Sequence, residues 1–129
     1  MTRRVVVTGL GCITPLGTDV DTLWNNVKEG NSAVGEISIF DATKFPTKIA
    51  AEVRDWDVTH IGEDADVWKN RSRHSGFAVG AAKQAIESSG ILDCDVDRSR
   101  FGLYLGCGEG FQDFVDFNSM VAGAITEEG

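Results

Sequence analysis

The sequence predicts an α/β fold, a sheet covered by helices, on three observations. Two short runs of strand-forming residues, Val5–Val7 and Phe101–Leu105, each end in glycine, and an alternating run, Lys48–Arg54, lies between them. Apolar residues recur at helical spacing in the intervals that separate or follow these runs. Three strands are few for that much apolar helix surface, so the sheet reads as unfinished.

Val5–Val7 is short, β-branched and bounded by Thr8-Gly9, the pattern of a buried strand. After Gly17, Thr18 is expected to cap a helix with Asp21 three residues on. Val20, Leu23, Trp24 and Val27 then share a face, and Gly30 stops the helix. From Lys48 to Arg54 the chain alternates, with Ile49, Ala51 and Val53 on one side. Lys48, Ala50, Glu52 and Arg54 form the other side of a strand that should have one wetter face. The polar, acidic stretch from Asp55 to Asp66 is the one candidate linker.

Between about Ser72 and Ser89, Phe77, Ala78, Ala81, Ala82, Ala85 and Ile86 form a narrow stripe of mostly small residues suited to close packing on a sheet. Gly90 stands where a left-handed cap belongs. Phe101–Gly106 is the third expected strand, entering the glycine-rich Gly106-Cys107-Gly108-Glu109-Gly110. Phe111, Phe114, Val115, Asn118, Val121, Ala122 and Ile125 then recur at helical spacing.

At 129 residues the chain is expected to form one domain, 1–129. A net charge of −8 argues against a nucleic-acid surface, which needs clustered cations. No apolar run is long enough to span a membrane, and two arginines followed by three valines are too little for a signal peptide. A soluble, cytoplasmic protein with reduced thiols is therefore expected. Cys12, Cys94 and Cys107 fit neither a disulfide framework nor a CxxC metal site.

The stretch VVVTGLGCITPLG invites two functional readings, and both fail on its own residues. A dinucleotide loop needs G-x-G-x-x-G, but after Gly9 and Gly11 the third glycine is missing and Pro15 delays the helix. Gly106-x-Gly108-x-Gly110 fails in the same way. No histidine lies near Cys12 in sequence to activate it, so Cys12 reads as a small packing thiol. Glu109 beside Cys107, and the aspartates flanking Cys94, would raise those thiols rather than activate them. His60 and His74 lack a metal-ligand spacing, and no metal site or cofactor is expected.

Taken together, the stretches carry more. Thr2-Arg3-Arg4-Val5-Val6-Val7-Thr8-Gly9-Leu10-Gly11, then Thr14-Pro15-Leu16-Gly17, Leu23-Trp24 and Gly30-Asn31-Ser32, closely resemble the start of a β-ketoacyl-[acyl carrier protein] synthase of the elongating, type II-like branch. Phe40-Asp41, Phe45–Val53, Ala85–Gly90 and Phe101–Gly108 resemble later segments of that family, in order and with similar spacing.

The resemblance implies the N-terminal portion of a thiolase-like fold, in which helix and sheet layers alternate, incomplete in this chain. It implies a decarboxylative Claisen condensation of an acyl thioester with malonyl carrier protein, in fatty-acid or polyketide assembly. The family's cysteine nucleophile and two histidines correspond to positions beyond residue 129, so the chain alone is expected to be inactive, and Cys12 is not that nucleophile. The implied partners are acyl carrier protein, acyl and malonyl thioesters, and a second subunit in a homodimer or heterodimer.

Two regions of this chain map onto the family's working surfaces. Lys69, Arg71 and Arg73 occupy a segment that in the family often carries basic residues meeting the acidic carrier protein. Glu109, with Phe111 beside it, falls where the family lines or gates an acyl pocket near the dimer interface. That position is commonly apolar, so Glu109 departs from the pattern. Asn70–His74 also lacks the family's usual Met-Asp. The Glu109 departure suits a non-catalytic partner subunit as the alternative, the missing Met-Asp departs from the elongating subtype, and a small nucleotide-binding module is a third reading.

Overall fold

The chain first reverses at Thr14-Pro15-Leu16-Gly17, where proline presets the backbone for a tight turn. Thr14 and Gly17 exchange backbone hydrogen bonds of 2.9 and 3.2 Å across it, and the Thr14 hydroxyl also donates to the Gly17 carbonyl. The structure is a computed structural model that describes residues 4–106, 108, 118 and 121–123. These belong to two units, Met1–Asp95 and Val96–Gly129.

Helix α1 runs Val20–Glu29. Its cap is Asp19, one residue after the expected Thr18: the Asp19 carboxylate accepts the Thr22 backbone N–H at 2.8 Å and the Thr22 hydroxyl at 2.7 Å. A carboxylate offers two acceptors next to the positive helix end, where Thr18 has one hydroxyl. Those bonds from Thr22 hold the Asp19 carboxyl below its ordinary range. Gly30 ends α1 at φ 71°, as expected, because only glycine takes that conformation without cost. Asn26 then ties the helix to the turn by donating to the Leu16 carbonyl at 2.6 Å.

Strands β1, Val34–Glu36, and β2, Ile49–Ala51, form an antiparallel pair with Gly35 opposite Ala50. The strand is shorter than the expected Lys48–Arg54, and at its centre the expected wetter side turns inward while Lys48 and Arg54, on that same side, stay exposed. Glu52 is buried and Ala50 half-buried, while Ile49 and Ala51 are exposed. Glu52 can face inward because it is fully partnered. The Ser38 hydroxyl donates to it at 2.6 Å, the Ser38 backbone N–H at 3.0 Å, and Arg54 pairs with it at 3.2 Å. The Ser38 hydroxyl and N–H, and after them Arg54, hold its carboxyl below the ordinary value of 4.5.

The region from Asp55 to Asp66 is not a linker. Trp56 and Val58 are two of the three buried apolar residues among those described, each 8% exposed, with Ala42 the third. A short 3-10 turn, Val58–Ile61, is capped by Asp57, and helix α2 follows over Ala65–Trp68. The acidic residues that suggest a linker are the caps of these turns, Asp57 and Asp64, each accepting a backbone N–H.

Helix α3, Arg73–Ser89, ends at Gly90 with φ 62°, as the stripe and cap predict. Its buried face is shifted from the expected one. Gly76 and Gly80 are buried, whereas Ala78 and Ala82 are exposed. Backbone packs on this face: a Cβ on Gly9 would fall on the Ala85 carbonyl oxygen, and one on Gly11 on the Ala81 carbonyl oxygen. Gln84 spans the contact, accepting from the Cys12 N–H at 3.1 Å and donating to the Thr18 carbonyl at 2.7 Å. Ser88 both accepts from the Leu10 N–H and donates to its carbonyl, each at 3.1 Å.

Two expected strands do not form among the described residues. Val5–Val7 and residues 101–106 lie outside any ladder, with Val5 93% and Leu103 76% exposed. Strand propensity marks side chains that suit a sheet, but a strand exists only through a neighbour's hydrogen bonds, and neither run has one. The predicted final helix is described only at 118 and 121–123, which are helical; Phe111, Phe114 and Ile125 lie outside the described residues.

The contact of Gly11 with α3 leaves no room for a methyl group, so Gly11→Ala is expected to destabilise the chain by about 3 kcal/mol, the upper end for overpacking. Gly35→Ala, whose new carbon would meet only an Arg54 nitrogen at 3.6 Å, is expected to stay within about 1 kcal/mol of the unmodified chain. Urea unfolding of the two variants checks the difference.

Candidate functional site

The three basic residues singled out by sequence converge on one groove. Arg71 follows α2, with its backbone N–H bonded to the Trp68 carbonyl at 2.9 Å and its Nε to the Val67 carbonyl at 3.3 Å. These bonds lay the guanidinium over the Trp68 ring, 5.4 Å from its centre. Arg73 opens α3 and donates to the Val53 carbonyl at 2.9 Å, with its guanidinium 5.4 Å from the Phe77 ring centre. Lys69 stands exposed between α2 and Arg71. All three line a groove of about 200 Å³.

Aromatic rings make the floor. Trp56 packs against the Phe77 ring at 5.5 Å and under the bare backbone of Gly80, where any Cβ would strike the indole. Emptying a buried tryptophan site costs about 3–5 kcal/mol, against about 1 kcal/mol for a helix cap, so Trp56 dominates this corner of the fold. The Trp68 indole N–H donates to Glu63 at 3.1 Å. Sequence reasoning found the cations but missed Trp56, Trp68 and Gly76. Two tryptophans flanking an acidic stretch were the available signal.

Asp57 also borders the groove. Its carboxyl is held below the ordinary range by the Thr59 hydroxyl and then the Thr59 N–H, so it remains an anion beside the cations. His60 stacks on Trp56 at 6.4 Å and its Nδ1 accepts the Asp57 N–H at 3.3 Å. His74 is exposed on α3. Among the described residues no cluster of three or more metal-ligating side chains occurs. Glu109, Phe111 and Cys107 lie outside the described residues.

The glycine stretch is a packing element. The Leu10 and Cys12 amides that a phosphate would use are spent on Ser88 and Gln84. Burial, and after it the Asp19 carboxylate, push the Cys12 thiol up, the wrong direction for a nucleophile. Exposed Cys94 donates to the Gly90 carbonyl at 3.4 Å.

Comparison with known proteins decides the lineage. Residues 2–126 match the family model for the N-terminal domain of beta-ketoacyl synthases. The chain belongs to the β-ketoacyl synthase family. This synthase segment is 40% identical over 116 residues to 3-oxoacyl-[acyl-carrier-protein] synthase 2 of Coxiella burnetii, covering 90% of this chain and 28% of that protein. It is 34% identical over 127 residues to the Vibrio harveyi protein of the same name, covering 98% of this chain and 30% of that one. A solved structure, the ishigamide ketosynthase/chain length factor, matches with a TM-score of 0.58 at 31% identity, over 68% of this chain and 22% of that one. The family carries the thiolase-like α/β fold, of which this chain spans less than a third of its relatives' length.

The environments of the two described thiols set their order of reaction. At pH 7.5, peptide-resolved alkylation is expected to label Cys94 at least tenfold faster than Cys12; equal rates would contradict the raised, partly buried Cys12 thiol.

Proposed function

We propose that this chain is the N-terminal part of a condensing enzyme that elongates an acyl chain by decarboxylative Claisen condensation of an acyl thioester with malonyl carrier protein. The observation that carries this reading is the family match over residues 2–126, joined by 40% identity to a protein named 3-oxoacyl-[acyl-carrier-protein] synthase. In this reading the described residues scaffold and dock, while the nucleophile and the histidines come from elsewhere in the enzyme. The Cys12 thiol is pushed up, the wrong direction for a nucleophile.

Lys69, Arg71 and Arg73 are the docking surface for acyl carrier protein. A local cluster of cations on a chain of net charge −8 favours an acidic partner and speeds its encounter. Glu109 and Phe111 belong to the acyl pocket near a subunit interface, in a dimer located in the cytoplasm. Among the described residues no helix is long and apolar enough to cross a membrane. A fatty-acid role follows the Coxiella and Vibrio relatives. A polyketide role follows a granaticin polyketide relative from Streptomyces violaceoruber named as a beta-ketoacyl synthase, 37% identical over 106 residues, or 82% of this chain and 25% of that protein.

A second reading, a non-catalytic partner subunit, is favoured by the solved relative, whose name joins a ketosynthase to a chain length factor. Glu109, at a commonly apolar position, points the same way.

Sequencing the encoding gene past the Gly129 codon tests both. A cysteine at a strand-to-helix turn followed by two histidines is expected; a replaced cysteine would transfer the proposal to the partner subunit. The 129-residue chain, supplied with acyl and malonyl carrier protein, is expected to give no condensation product, and turnover by it would refute the division of labour.

A further inference from the structure

Past the bond from the Ile37 N–H to the Lys48 carbonyl, residues 38–47 form the loop between β1 and β2, and little of that loop is anchored by packing. Ala42 is its one buried residue, and the Phe40 and Phe45 rings, which meet edge to face at 5.5 Å, are each about half exposed. Within the loop, Asp41 accepts the Thr43 N–H at 3.0 Å and the Ala42 carbonyl accepts the Phe45 N–H at 3.0 Å. Every hydrogen bond that it makes to the rest of the described residues goes to one side chain, Glu52.

Glu52 is the single buried charge among the described residues, its side chain 5% exposed. The Ser38 N–H reaches both carboxylate oxygens, at 3.0 and 3.2 Å, and the Ser38 hydroxyl donates at 2.6 Å. Arg54 donates from the other side at 3.2 Å and, from the same nitrogen, to the Glu36 carbonyl at 2.9 Å. The loop, β1 and the chain just past β2 therefore meet at one carboxylate.

We infer that Glu52 is an ionisation-dependent pin: as a carboxylate it straps residues 38–47 to the strand pair, and on protonation the strap comes free while β1, β2 and α3 stay folded. The three groups that converge on Glu52 are all donors, and only the carboxylate, which accepts without donating, satisfies them together. A carboxylic acid brings a hydrogen of its own that must face one of them, and its neutral hydrogen bonds are roughly half as strong.

The rest of the unit is held by groups that keep their state in acid. The strands keep their backbone ladder, and Gln84, Ser88 and the Trp56 ring hold α3. Arg73 of α3, which lines the same apolar cavity of about 440 Å³ as Glu52, is tied to the Val53 carbonyl and stays charged. Asp41, held low by the Thr43 N–H, also titrates in acid, but its bonds stay inside the loop. The Ser38 donors, and after them Arg54, keep the Glu52 carboxyl below 4.5, so the strap is pinned at neutral pH and lost as the pH falls through that lowered value. Ile39 and Phe40 of the strap wall the cavity, so release opens it.

Residue-resolved amide exchange of the 129-residue chain from about pH 7 to about pH 3, expressed as protection relative to an open chain, tests the pin. The Ser38 N–H is expected to lose about tenfold or more of its protection below pH 4.5, while β2 and the interior of α3 keep theirs. Glu52→Gln, which keeps the shape without the charge, is expected to show the lower protection already at neutral pH, with no further change in acid. Ser38→Ala removes the hydroxyl, the foremost cause of the lowered carboxyl, and is expected to raise the midpoint of the loss toward 4.5. The pin is refuted if Glu52→Gln leaves the Ser38 amide as protected as in the unmodified chain, or if β2 and α3 lose protection at the same pH as Ser38. Should Glu52→Gln not fold, the other two chains decide: a local loss whose midpoint rises in Ser38→Ala supports the pin, and a flat profile or an unmoved midpoint overturns it.

Discussion

The structure of the Met1–Asp95 unit depends on how closely backbone approaches helix α3. Gly9 and Gly11 sit against the Ala85 and Ala81 carbonyls, a distance that admits no side chain on either glycine. At that separation the segment's amides face the side chains of α3, and a backbone group paired there keeps the hydrogen bond that the close contact would otherwise take from it. Gln84 and Ser88 supply the partners, and Gln84 reaches two points of the segment at once. Tight packing and polar side chains on one helix face are thus a single device: the glycines make the contact possible and the glutamine and serine make it affordable.

The same helix uses the same economy at its other end. Gly76 and Gly80 open a berth for Trp56, and Trp56 in turn brings Phe77 and His60 against its ring. The chain from Asp57 to Ser72 therefore folds over the N-terminal end of α3 rather than away from it, which carries Lys69, Arg71 and Arg73 to one groove. At this corner the scaffold gathers three cations over an aromatic floor. Fold and proposed function meet in the two glycines of α3.

What the sequence made legible follows from what is local. The extent of α3, the glycine caps at Gly30 and Gly90, and the alternation around Ile49 depend on nearby residues and were readable. Asp19 displaced Thr18 as a cap by a contest between two adjacent side chains that spacing does not resolve. The inward turn of Glu52 depends on Ser38, fourteen residues away, and no periodicity reveals such a partner. Val5–Val7 and residues 101–106 have strand chemistry without a ladder, because pairing is a property of two segments. At the groove, the cations were visible as a cluster, but the aromatic floor is assembled from α3 and a stretch whose acidity disguised it as a linker. Family resemblance, by contrast, was legible over nearly the whole chain, since it rests on ordered motifs rather than on pairing.

Residue-resolved amide hydrogen exchange on the unmodified chain tests the central claim most directly. If α3 and the glycine segment form one unit, the Leu10 and Cys12 amides exchange with the slow rates of the interior of α3, while those of Val5–Val7 exchange fast. Leu10 and Cys12 exchanging as fast as Val5–Val7, with α3 still protected, would mean that the segment is not held by Gln84 and Ser88 and would contradict the account.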